Sequence, residues 1–405
     1  MMDLLERFVN YVRIDTKSDE YSETAPSTMK QFDLARVLVK ELEELGLSDV
    51  VLSDTCVVYG KLPANTDAEA DKIGFVSHMD TSPAFSGKDV KPKLVRNYKG
   101  GVILLNKELN IVLDPEQFPS LKKDIGDDLI VTDGTTLLGA DDKAGVAEIM
   151  DMLQYLQQHP EIPHGQISVA FTPDEEVGRG VENFDLEQFG ADYAYTVDGG
   201  DADELCYECF NAASADVTVN GLSVHPGSAK GKMLNSLLVA MEFQSLLPTF
   251  ANPMYTEGRE GFNHLNEMDG GCETSHMHYI IRNHDSDLLE KQKADFRNAA
   301  EFLNRKYGEG TIELVIKDTY RNMREKIEQH PQILDKVREK MQKLGLEPKS
   351  SAARGGTDGA SLTVMGLPCP NLGTGGRNCH GKYEYAAIGQ MRTVVKLLIE
   401  IARID

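Results

Sequence analysis

The sequence predicts an α/β fold with a mostly parallel central sheet, interrupted by a second, α+β domain. Three observations predict it. Apolar runs at residues 72–79 (KIGFVSHM), 166–172 (QISVAFT) and 193–197 read as buried strands. A helical pattern separates the first two, with Val146, Ile149, Met150 and Leu153 on one face of residues 143–158. From about residue 211 the texture changes to half-exposed alternation, and it reverts after Ile327.

Taken in order, the first 60 residues read as a capped amphipathic helix, a Ser/Thr/Glu/Pro loop at 18–27, a helix near 28–45 and a strand pair. Strand, helix and strand then repeat as parallel sheets require. Residues 215–219, 277–282 and 311–318 read as strands of the inserted unit, and 233–247 and 287–307 as its helices. The expected division is an outer domain of residues 1–210 and 326–405 around an inserted domain of 211–325.

Composition narrows the function. Of 405 residues, 41% are hydrophobic and 26% charged, an ordinary globular balance. The net charge of −23 repels polyanions, so neither nucleic acid nor an anionic membrane surface is expected as a partner. No apolar run approaches a membrane span, and the N-terminus has no export signal. Six scattered cysteines fit buried thiols in a reducing compartment, so the expected location is the cytoplasm.

Polar clusters stand where buried strands or glycine loops end: His78 with Asp80, Asp141 with Asp142, Asp174-Glu175-Glu176, Asp198 before two glycines, and His380 after a glycine run. Open α/β sheets place their sites at such ends. Each cluster alone also fits a turn, a helix cap or a surface pair. Together, His78, Asp141, Glu176, Asp198 and His380 supply two imidazoles and three carboxylates. That set suits two divalent ions sharing one bridging carboxylate, with Glu175 left free as a general base and Asp80 able to orient His78.

These residues, with TTLLGADDKAG, FTPDEEVGRG, VDGG, HPGSAKGKM, RGGTDG and NCHGKYEY around them, resemble the dizinc aminoacylase and carboxypeptidase G2 superfamily of metallopeptidases, in order and over nearly the whole chain. The resemblance implies a zinc-exopeptidase-like catalytic domain with an inserted lid and dimerisation domain. It implies two Zn²⁺ per subunit, with His78 and Asp198 on one ion, Glu176 and His380 on the other and Asp141 between them. Glu175 would be the general base and Asp80 the partner of His78. It also implies a cis peptide between Asp141 and Asp142. On the lid, His225 would meet the oxyanion, while Arg282 of the lid and Arg354 of the Arg-Gly-Gly loop would hold a peptide carboxylate. The implied activity is release of the N-terminal residue from tripeptides, with a homodimer possible. A related dipeptidase, carboxypeptidase or N-acyl-amino-acid amidase is the alternative.

Other signals carry less. Cys206-x-x-Cys209 lacks a second pair for a structural zinc, His276-x-His278 reads as a partly exposed pair, and Gly373–Gly376 lacks the Lys-Ser/Thr ending of a phosphate loop.

Overall fold

The computed structural model describes residues 2–404. They form two compact units: one contains the chain up to Tyr207 with Met323–Ser351 and Thr357 onward, the other Glu208–Asn322 with Ala352–Gly356.

The first unit is built on an eight-stranded sheet in the order Ser48–Leu52, Val58–Leu62, Ile167–Thr172, Ile73–His78, Tyr193–Gly199, Asn371–Gly373, Glu204–Glu208, Lys349–Ala352. Its centre is parallel: Ile73–His78 runs alongside both Ile167–Thr172 and Tyr193–Gly199, and Asn371–Gly373 continues the series. Towards the edges the pairing turns antiparallel. Ile73–His78 and Ile167–Thr172 are buried at every position, which is why they read as unbroken apolar runs. The register pairs His78 with Thr172, so these two parallel strands end level and release their polar followers at one edge.

Helix Ala140–Gln158 packs on strands Ile73–His78 and Tyr193–Gly199 and against helices Leu4–Val12 and Ile388–Ala402. Its first turn is irregular, with non-helical backbone at Asp141 and Asp142 and a cis peptide bond between them. The expected cap on Leu4–Val12 is Asp3, which accepts from the Glu6 N–H at 2.8 Å.

The second unit is an antiparallel sheet, Phe262–Gly270, Thr274–Asn283, Asn211–Asn220, Ile312–Tyr320, packed with helices Ser236–Leu246 and Ser286–Tyr307. Alternate residues Val217, Val219, Met277, Tyr279 and Ile281 meet Phe243, Phe296 and Leu303 in its core. Full burial of such side chains contributes about 1.5–3 kcal/mol each. The segment Ala352–Gly356, read from sequence as outer domain, clusters here. Arg354 explains this, donating to the carbonyls of Gly258 and Glu260 and lying over the rings of Phe210 and Phe262.

Strand Phe262–Gly270 was not expected. It is a sheet edge whose last five residues are exposed, so it lacks the alternation that marks a half-buried strand. A second sheet in the first unit, Gly376–Arg377, Tyr385–Ala387, Leu129–Val131, Lys93–Val95, also escaped notice because its strands have only two or three residues.

Candidate metal centre

Strand ends, the first turn of helix Ala140–Gln158 and the loop at His380 bring His78, Asp80, Asp141, Glu175, Glu176, Asp198 and His380 together in the first unit. Asp141 is central. Its Oδ1 lies 3.0 Å from Nε2 of His78 and its Oδ2 lies 3.2 Å from Nε2 of His380, so one carboxylate divides its oxygens between two imidazoles. His78 Nε2 is also 3.5 Å from Asp198 and 4.0 Å from Glu175, whereas His380 Nε2 is 3.0 Å from Glu176. Among the described residues, two sets of donor atoms are close enough to hold an ion: His78, Glu175 and Asp198, and His78, Asp141 and Glu176. Oε1 of Glu176 is buried without a hydrogen-bond partner. An orphaned carboxylate oxygen among imidazoles and further carboxylates is the environment a divalent cation satisfies, and oxygen and nitrogen donors of this kind suit Zn²⁺.

Asp80 is fully buried. Its carboxylate accepts from the backbone N–H groups of Glu175 and Glu176 at 3.0 and 3.2 Å and lies 3.3 Å from Nδ1 of His78. One side chain thus orients the imidazole and the turn bearing two further acids. Asp174, although adjacent in sequence, has backbone φ 55° and points elsewhere, accepting from Ser27 and Gln31. Asp142 is likewise turned away, onto the Ser77 hydroxyl and the Gly145 N–H.

The electrostatics show a crowd of acids. Burial pushes Asp198 up to about 7 and raises Glu175 well above the usual carboxylate range, with His78 opposing and neighbouring carboxylates adding to the rise. Burial also raises Glu176, against the hydrogen bond with His380. Asp141 behaves oppositely: burial would raise it, but hydrogen bonds with both histidines hold it far below the ordinary value. Hydrogen bonds to Asp141 and Glu176 lift His380 to about 10. Burial would lower His78, yet Asp198, Asp141 and Asp80 together raise it. This cluster is short of positive charge, and divalent cations would supply it.

A family model described as peptidase family M20/M25/M40 matches residues 133–404. The chain belongs to this family of peptidases. Full-length relatives named Peptidase T agree: that of Alkaliphilus oremlandii is 53% identical over 99% of this chain and 98% of its own, and that of Geobacillus kaustophilus is 52% identical over 99% and 98%. Among solved structures, an aminopeptidase PepT from Bacillus cereus superposes with TM-score 0.76 at 23% identity, covering 98% of this chain and 97% of its own. A Bacillus subtilis protein described as a dinuclear metal binding peptidase from the M20 family gives TM-score 0.65 at 13% identity, over 98% and 96%. At these identities the structural likeness establishes the shared fold.

Within a family of peptidases, the remaining residues read as follows. His225, Arg282 and Arg354 belong to the second unit. His225 opens a short 3₁₀ turn, its Nδ1 accepting from the Gly227 N–H at 3.1 Å. Arg282 donates to the Ala213 and Ile281 carbonyls and lies over the Tyr320 ring. Arg354 is engaged by backbone carbonyls, as described, and by the Thr256 hydroxyl at 3.1 Å. Cys206 and Cys209 are buried thiols, not joined in a disulfide, and His278 pairs with Asp216 at 2.7 Å. Two residues near the centre were missed from sequence. Asn371 exchanges hydrogen bonds of 3.1 Å with the Asp198 backbone, and Glu384 caps the turn before Asp141. Glu384 had one faint signal, its position four residues beyond His380 in NCHGKYEY.

Proposed function

We propose that this peptidase is a dizinc aminopeptidase releasing the N-terminal residue from tripeptides. One observation carries the reading: the two oxygens of Asp141 are divided between His78 and His380, the disposition of a carboxylate shared by two ions. His78 and Asp198 would hold one ion, Glu176 and His380 the other. When bound, the ions polarise the scissile carbonyl and ease ionisation of a water.

The chain's own residues do the rest. Glu175 takes a proton from the attacking water and delivers it to the leaving amine nitrogen. Asp80 holds the Glu175 turn and the His78 ring. His225 is proposed to stabilise the developing oxyanion, and Arg282 and Arg354 to receive the peptide carboxylate. Both guanidinium groups already donate to backbone carbonyls, Arg282 through one terminal nitrogen and Arg354 through both, so Arg282→Ala, which breaks fewer such bonds, is the first variant for that role; an unchanged KM for a free tripeptide would remove it.

The decisive test is hydrolysis of an unmodified tripeptide, its N-acetylated form and a dipeptide by zinc-loaded wild type and Glu175→Gln, with bound metal counted. The expected result is tripeptide cleavage, a loss of roughly 10²–10⁴-fold in the variant, and full metal content in both. Preference for the acetylated substrate would instead identify an amidase, and preference for the dipeptide a dipeptidase. Metal counted in protein purified without added ions tests zinc itself.

Among the described residues no helix is long and apolar enough to cross a membrane. Six cysteines held as thiols rather than disulfides favour the cytoplasm, which fractionation of cells would check. We also propose a homodimer through the second unit, where Leu238, Met241, Phe250, Met254 and Tyr255 are exposed.

A further inference from the structure

We propose that Glu384 is a positioning residue that sets the spacing between Asp141 and His380, and so the affinity of the centre for its ions. The inference rests on the dinuclear reading. Helix Ala140–Gln158 begins at Gly139, which has φ 81° and no side chain to cap the free N–H groups. The cap comes from far along the chain. Oε2 of Glu384 accepts from the N–H groups of Leu138 and Gly139 at 2.7 and 2.8 Å, and Oε1 from that of Asp141 itself at 3.1 Å.

Glu384 closes the turn that carries His380. Its own N–H donates to the Gly381 carbonyl at 3.2 Å, and the Asn378 side chain donates to the Tyr383 carbonyl at 3.2 Å. Strand Tyr385–Ala387, which follows at once, pairs with Leu129–Val131, which leads towards Leu138. A carboxylate at 1% exposure therefore ties the backbone of the shared ligand to the loop of a terminal one. All three donors are backbone groups, so the geometry demands two accepting oxygens. Glutamine keeps one oxygen and turns an NH₂ towards a donor, leaving either Asp141 or the Leu138–Gly139 pair without its acceptor.

The test titrates Co²⁺ into metal-free wild type, Glu384→Gln and Glu384→Asp, following its visible spectrum, with Tm measured in parallel. Glu41→Gln serves as reference, because Glu41 is a buried carboxylate of the same unit bonded to Tyr11 and Arg7. The expected result is roughly 10–100-fold weaker Co²⁺ binding and an altered spectrum in Glu384→Gln, a smaller loss in Glu384→Asp, and a change in Tm alone for Glu41→Gln. If Glu384→Gln does not fold, the same comparison is read from Glu384→Asp. Wild-type Co²⁺ affinity and spectrum in the Glu384 variants, whatever their Tm, would overturn the proposal. Failure of wild type to bind Co²⁺ would sink the dinuclear reading instead.

Discussion

On the proposed dinuclear reading, protons and metal ions compete for the same atoms at Asp198 and His380. In the metal-free protein Asp198 holds its proton up to about 7 because it is buried, and His380 up to about 10 because Asp141 and Glu176 bond to it. As proposed ligands, both would have to be deprotonated to bind an ion. The sign follows: affinity falls as pH falls below about 10, and more steeply below about 7, where Asp198 joins. Titrating Co²⁺ between about pH 6 and 9 in buffers of differing ionisation enthalpy should show proton release throughout; a flat profile would contradict it. For the metal-free fold, Asp198 has its folded value above the unfolded one. Its contribution is therefore lost as pH rises from about 4 through about 7.

Helix Ala140–Gln158 and strand Tyr193–Gly199 are the elements that bring Asp141 to Asp198, and a glycine sets how closely they meet. A methyl group on Gly145 would overlap the Val197 carbonyl oxygen and crowd the Asp142 carboxylate. The obstacle is backbone in a central strand, so it cannot swing aside. Gly145→Ala should cost about 1–3 kcal/mol in denaturant unfolding and weaken Co²⁺ binding, since the strand end carrying Asp198 would have to move. Unchanged stability would show that the helix can back away freely. Central strands were legible because complete burial leaves an unbroken apolar run, and the helix because its buried side chains recur on one face. The edge strand Phe262–Gly270 and the short strands around Tyr385 were not, because neither exposure on both faces nor two or three residues leaves a period to detect.

At the scale of the molecule, charge and apolar surface act against each other. A net charge of −23 keeps copies apart, while the exposed Leu238, Met241, Phe250, Met254 and Tyr255 favour covering by a second copy. Light scattering should give the mass of a dimer that Leu238→Glu with Met241→Glu converts to monomer, and low salt should loosen the dimer by strengthening repulsion. A wild-type monomer at every concentration would refute it.

What the sequence determined by itself is the choice of chemistry. Short polar clusters at the ends of buried runs name His78, Glu175, Glu176 and Asp198, because a parallel strand must be apolar throughout and can become polar only where it ends; Asp141 and His380 were named by the glycine turns beside them. Only the tertiary structure decided how those groups are shared. Adjacent residues part company, Asp174 onto Ser27 and Gln31 while Glu175 and Glu176 stay beneath Asp80, through one left-handed residue that no pattern announces. Glu384 caps a helix 243 residues before it. Capping is read from sequence when the acceptor lies beside the helix start. Here Gly139 offers none, and the acceptor is found only once the chain has folded back.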